Sequence, residues 1–239
     1  MFKSNSRIVS VLSVIAVVGL FTETPVLGVQ NFDINMTVDN AYALYLGTPT
    51  TATSLEFSAT NLTAGEIFAP EAFSLSAPDL SFVYIATWSD DSVIQGALAD
   101  FENTTSGGTV ISGSAPWEVT ATGIDKDNLD SPPTLADLTT QIGLANAGTN
   151  PSSGWVTPTA SPLTNGAGGI HAVSISAIDT NARWMWYDSG NHAHPDAPFQ
   201  GFNHDEYQIF RIPVTAPEPA TLAVLSTCAA LTLRRRRSS

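Results

Sequence analysis

Between residues 31 and 121 apolar side chains recur at every second position, and this period of two restricts the chain to half-buried strands. In NFDINMTV, Phe32, Ile34, Met36 and Val38 share one face, while Asp33, Asn35 and Thr37 share the other. Asp39-Asn40 supplies turn chemistry before AYALYLG, where Tyr42, Leu44 and Leu46 alternate again. WEVTAT repeats the pattern, whereas SFVYIATW and VIQGALADF are apolar on both faces, which marks central strands. HAVSISAI, ARWMWY and EYQIFRIPV continue the series, for about ten strands in all. Such a run predicts an all-β fold, an antiparallel β-sandwich, and favours a jelly-roll-like form over the smaller immunoglobulin type.

Residues 122 to 169 are rich in Gly, Pro, Asn, Ser and Thr and read as loop, with one helix. In PTLADLTTQIGLANAG, Leu135, Leu138 and Ile142 fall at helical spacing. Thr134 caps the start with Asp137 three residues on, and Gly148 suits the end. This helix is expected over an open edge of the sandwich. The one cysteine, Cys228, lies near the C-terminus, so the body has no disulfide and no thiolate metal site. Burial has to hold it together.

The two ends differ from the body. MFKSNSRIVSVLSVIAVVGLFTETPVLG carries Lys3 and Arg7, an apolar run from Ile8 to Phe21, and small-residue spacing at Val26 and Gly28. It reads as a secretory signal peptide over residues 1–28, with residues 29–213 as the sandwich domain and 214–239 as a tail. In the tail, residues 220–233 are 14 without charge, about 21 Å of helix against a hydrocarbon core of about 30 Å. Arg234, Arg235, Arg236 and Arg237 follow, and the positive-inside rule holds them in the cytoplasm while the body lies outside. This marginal hydrophobic helix acts as a stop signal.

Pro217-Glu218-Pro219, the apolar stretch and the arginine cluster, in that order, resemble the PEP-CTERM sorting signal. The resemblance covers roughly a tenth of the chain. It implies export in an exopolysaccharide-producing bacterium, transient insertion in the inner membrane, and processing near the Pro-Glu-Pro by an exosortase-like membrane protease. The body, through DNAYALYLG, ARWMWY and HDEYQIFRI, faintly resembles secreted jelly-roll modules of the galactose-binding and PA14-like kinds. That similarity bears on fold and names no ligand.

Charge narrows the partners. The chain has 9 Lys+Arg against 22 Asp+Glu, and residues 29 to 216 keep only Lys126, Arg183 and Arg211 against 20 acids, a net charge of −17. Such a surface repels phosphate backbones and anionic headgroups, which excludes nucleic acid as a partner. Exopolysaccharide is the partner left open.

ARWMWYDSGNHAHPDAPFQGFNHDEYQIF is the richest stretch for sites. Trp184 and Trp186 point the same way on a strand and offer an aromatic platform for a sugar ring, with Asp188 and Asn191 as hydrogen-bond partners; the alternative is that both belong to the core. His192, His194, Asp196 and His204 could share an ion, or be solvated loop residues. Asp125, Asp127 and Asp130 suit calcium by residue type but lack the glycine and glutamate of an EF-hand loop, and an Asp/Asn-rich turn explains them as well. No other cofactor is indicated.

Catalytic motifs are missing: there is no Gly-x-Ser-x-Gly elbow, phosphate-cradling glycine loop or His-Glu-x-x-His. The acidic neighbours Asp90-Asp91 and Asp205-Glu206 point to opposite faces on a strand. The expectation is therefore a non-enzymatic, exported surface or matrix protein, structural or glycan-associated. A carbohydrate-binding module is the alternative. A glycoside-acting enzyme is a second alternative, and it requires carboxylates that converge in a cleft.

Overall fold

The computed structural model describes residues 28–90, 95–149, 152, 154–190 and 206–215. Among them, two antiparallel sheets pack face to face as a β-sandwich. The first sheet has the order β4 (Glu71–Pro78), β1 (Val29–Asp39), β6 (Gly96–Asn103), β10 (Met185–Trp186) and β9 (Thr159–Ala160), with β7 (Thr109–Ile111) also paired to β6. The second has the order β3 (Ala52–Ala59), β2 (Ala41–Gly47), β5 (Phe82–Trp88), β11 (Gln208–Pro213) and β8 (Glu118–Ala121). The expected signal helix and C-terminal hydrophobic helix lie outside the described residues.

The period of two builds the interior. Phe32, Ile34, Met36 and Val38 of β1 face Tyr42, Leu44 and Leu46 of β2, and Val83 and Ile85 of β5, in one buried cluster. Asp33 on the opposite face of β1 is exposed. The segments that are apolar on both faces occupy the middle of each sheet: β6 is third in the first and β5 third in the second. A central strand is covered on both sides, so both of its faces must be apolar.

The outer face of the second sheet forms a smaller core. Ala43, Tyr45, Tyr84, Ala86 and Ile209 pack there against Leu138 and Ile142 of helix α2 (Leu135–Ala147), with α1 (Ala64–Ile67) being the short helix between β3 and β4. The Thr134 side chain accepts from the Asp137 amide, and Gly148 ends α2 in the left-handed conformation at φ 60°. The helix covers this face and also reaches the edge strand β3, where Ala52 N–H donates to Thr139 Oγ1 at 3.1 Å, in keeping with its expected place over an edge. The edge strands β3 and β4 meet through stacking of Phe57 on Phe73, with centroids 4.7 Å apart.

Two strand expectations are corrected. HAVSISAI forms turns, because Asn165 takes the backbone groups that a ladder would use: its amide donates to the carbonyls of Ile175 (2.9 Å) and Ile178 (2.9 Å), and its oxygen accepts from the Ile175 amide (2.8 Å). Within ARWMWY only Met185–Trp186 is strand. No helix among the described residues is long and apolar enough to cross a membrane.

Candidate functional site

Asp39 ends β1 and Asn40 precedes β2, so the chain passes from one sheet to the other across this pair. The passage brings polar groups to the end of an apolar sandwich. Asn40 holds the surrounding loops: its carbonyl accepts from Leu62 N–H (2.9 Å), its amide N–H donates to the Trp88 carbonyl (3.2 Å), and its side-chain oxygen accepts from Asp90 N–H (3.2 Å). Asn61, in the left-handed region at φ 55°, donates its N–H to the Asn128 carbonyl at 3.0 Å. Between these loops lies a cleft of about 450 Å³ that Asp39, Asn61, Phe68, Asp90, Asn128 and His171 line. That is the size of a small-ligand site.

Asp39 sits at its base with 7% of its surface exposed, and it accepts no hydrogen bond from any described residue. Burial, and then the charge of Asp90, push its carboxyl up to about 7. His171 Nε2 lies 3.7 Å from Asp39 Oδ2, beyond hydrogen-bond length, and that nitrogen is buried without a partner. Burial also lowers the affinity of His171 for a proton, so the imidazole is neutral at pH 7. Asp39 and Asp90 both line the cleft. Phe68 forms an apolar wall, 36% exposed.

The wall and floor are one aromatic stack. His171 meets Phe68 edge-on at 5.4 Å on one side and Trp184 at 4.7 Å on the other. Trp184 is fully buried. Gly169 makes room for its indole, since a Cβ there would lie 2.7 Å from Trp184 Cδ1. This corrects the aromatic platform expected of Trp184 and Trp186: Trp184, just before β10, is turned into the core, Trp186 is half-buried, and the two rings present no shared open face. Trp184 backs the cleft from beneath.

Other expected site residues are placed apart from it. Asp188 is exposed and accepts from the Gly190 amide at 2.9 Å. Asp125, Asp127 and Asp130 are exposed on a turn in which Asp130 Oδ2 accepts from Asp127 N–H at 3.0 Å. They do not form a cation shell, and no group of three His, Cys, Asp or Glu among the described residues could hold a metal. Asn191, His192, His194, Asp196, His204, Pro217, Glu218, Pro219 and Arg234–Arg237 lie outside the described residues. A further groove of about 500 Å³ at Phe82, Trp117, Pro158 and Pro213 is mainly apolar. Its one charged residue, Glu118, is bound to Arg211 at 2.8 Å.

Sequence reasoning read Asp39-Asn40 as a turn, Asp90 as half of a split acidic pair, and His171 as part of a strand. Their convergence has no local signal, because they belong to segments 50 to 130 residues apart that only sheet pairing unites. No family model, curated protein or solved structure matches the chain.

Two outcomes follow from this geometry. Trp184→Ala should cost about 3–5 kcal/mol in denaturant unfolding, as loss of a core aromatic does; a cost below about 1 kcal/mol would return the ring to the surface. For Asp39 the folded-state pKa lies above its unfolded value of 3.8. Its burial therefore costs nothing below pH 4, and stability is lost as pH rises toward 7. Asp39→Asn should accordingly raise the melting temperature at pH 8, by the equivalent of a few kcal/mol (~1.4 per pKa unit), and leave it unchanged at pH 3.5. A gain that is equal at both pH values would refute the assignment.

Proposed function

We propose that this is an exported cell-surface or extracellular-matrix protein that associates with polysaccharide through the Asp39–His171 cleft. The observation that carries the reading is a buried carboxylate without a hydrogen bond from a described residue, beside an exposed aromatic wall. A pyranose has the matching chemistry: hydroxyls that donate to carboxylates and accept from amides, and an apolar C–H face that lies on an aromatic ring. The acidity of the body supports a neutral or cationic partner over an anionic one. The apolar N-terminal run and the PEP-CTERM-like tail support the address, with an exosortase-like protease as the processing partner.

A second reading has one observation in its favour. Asp39, held partly protonated at neutral pH, shares a cleft with a second carboxyl residue, Asp90, and a protonated carboxyl group beside another is the usual equipment for cleaving a glycosidic bond. The sequence alone had left that option without a site.

Retention on immobilised extracellular polysaccharide from the source organism separates these readings. Saturable retention that Phe68→Ala abolishes without changing the circular dichroism is expected; new reducing ends would mean cleavage, and retention unaffected by Phe68→Ala would place the site elsewhere. Mass spectrometry of the native mature protein is expected to find no peptide beyond about Ala216. An intact arginine end would rule out processing.

A further inference from the structure

Asp39 is only 7% exposed, yet it lines the cleft, and neither carboxyl oxygen accepts a hydrogen bond from a described residue. A buried acceptor of this kind is costly unless something donates to it. His171 Nε2 lies 3.7 Å from Oδ2 and is itself buried without a partner. When the carboxyl carries a proton, an approach of about 1 Å lets its O–H donate to that nitrogen. Protonated, Asp39 thus has a partner inside the protein. Ionised, its two oxygens are left for donors in the cleft, beside the apolar wall of Phe68.

We propose that the cleft takes a neutral sugar by two adjacent ring hydroxyls, both donating to the Asp39 carboxylate, and that binding expels the proton this carboxyl otherwise carries. This rests on the glycan reading and adds a sugar class and a control by pH. A carboxylate presents two acceptor oxygens side by side, and neighbouring gauche hydroxyls of a pyranose present two donors to match. Bonds to an ionised acceptor are about twice as strong as neutral ones. An O-methylated sugar keeps the apolar ring and loses the donors, and a uronate brings negative charge up to an ionised carboxyl.

Proton and sugar then compete for one group. Burial, and then the charge of Asp90, push the Asp39 carboxyl up to about 7, so it is mainly protonated at pH 6 and mainly ionised at pH 8. A ligand that needs the ionised form binds more tightly as pH rises through 7. Asp90, from the segment after β5, and His171 line the cleft with Asp39, and burial lowers the affinity of His171 for a proton. Glu66 of α1 is exposed and accepts from Thr63 N–H at 2.8 Å, and Glu71 of β4 accepts from the Tyr42 hydroxyl. Lys126 lies over Trp88 at 5.5 Å. Asp39→Asn separates Asp39 from all of them.

The test is calorimetric titration of the full-length protein at pH 6 and pH 8, each in two buffers of different ionisation heat so that released protons are counted. The probes are β-1,4-linked trimers of glucose, mannose and galactose, and the fully O-methylated form of each. A neutral trimer is expected to bind about tenfold tighter at pH 8 than at pH 6, with about one proton released at pH 6 and no heat from its methylated form. Asp39→Asn should weaken binding at pH 8 about tenfold and remove both the pH dependence and the proton release. Asp33→Asn, which removes an exposed carboxylate six residues up the same strand, roughly 20 Å away, should leave affinity within about twofold and the pH dependence intact. Asp39→Asn is predicted to be the more stable protein, so misfolding would not mimic the loss.

Equal affinity at both pH values, with no proton released, would overturn the proposal and leave the glycan reading standing. So would a methylated trimer that binds as well as its parent. Tighter binding at pH 6 would make Asp39 a donor to the sugar and overturn the proposal in the same way. Retention on polysaccharide that none of the trimers competes would overturn the neutral class, and absence of both trimer binding and retention would remove the proposal and the glycan reading together. A pH dependence that survives Asp39→Asn would assign the proton to another group.

Discussion

Contact between the two sheets is the constraint on which the rest of the molecule depends. The body has no cysteine, and the described residues have no metal centre, so apolar burial carries the stability. β1 is central to it, because it pairs with β4 on one side and β6 on the other while its inner residues meet β2 and β5. At Asp39 the chain must leave the first sheet and enter the second. The polar groups of that crossing cannot be moved outward without pulling Val38 or Ala41 from the core.

The cleft is a consequence of this crossing. Asn40 satisfies backbone groups from two segments, at Leu62 and at Trp88 with Asp90, which fixes their ends and leaves a space between them. Trp184 supports His171, and His171 supports Phe68, so the floor of the cleft is continuous with the main core. A ligand in the cleft would therefore meet groups whose positions core packing sets, which lowers the entropy cost of binding. The buried charge of Asp39 works against stability at neutral pH. Strain of this kind is relieved when a ligand supplies the missing partner.

Much of the architecture was legible in local pattern. Alternation located β1 and β2, double-sided apolar runs located the central strands β5 and β6, and the Thr134, Asp137 and Gly148 signals located α2 to within a residue of each cap. Each of these depends on neighbours in the chain. HAVSISAI failed because the side chain of Asn165, several residues upstream, competes for its backbone groups. Trp184 failed as a platform residue because alternation tells which residues share a face, while the packing of the other sheet decides which face is covered.

The sequence by itself determined the class of fold, the acidity of the body, and the two terminal segments that suggest an address. It did so because strand periodicity, charge and segment hydrophobicity are properties of residues near one another in the chain. Only the tertiary structure decided where a site could be. Asp39, Asn61, Phe68, Asp90, Asn128 and His171 come from five separate segments and meet through the pairing of β2 with β5 and the burial of Trp184 beneath His171. Long-range pairing of this kind has no counterpart in local pattern, because its energy comes from groups that the chain separates and the core brings together.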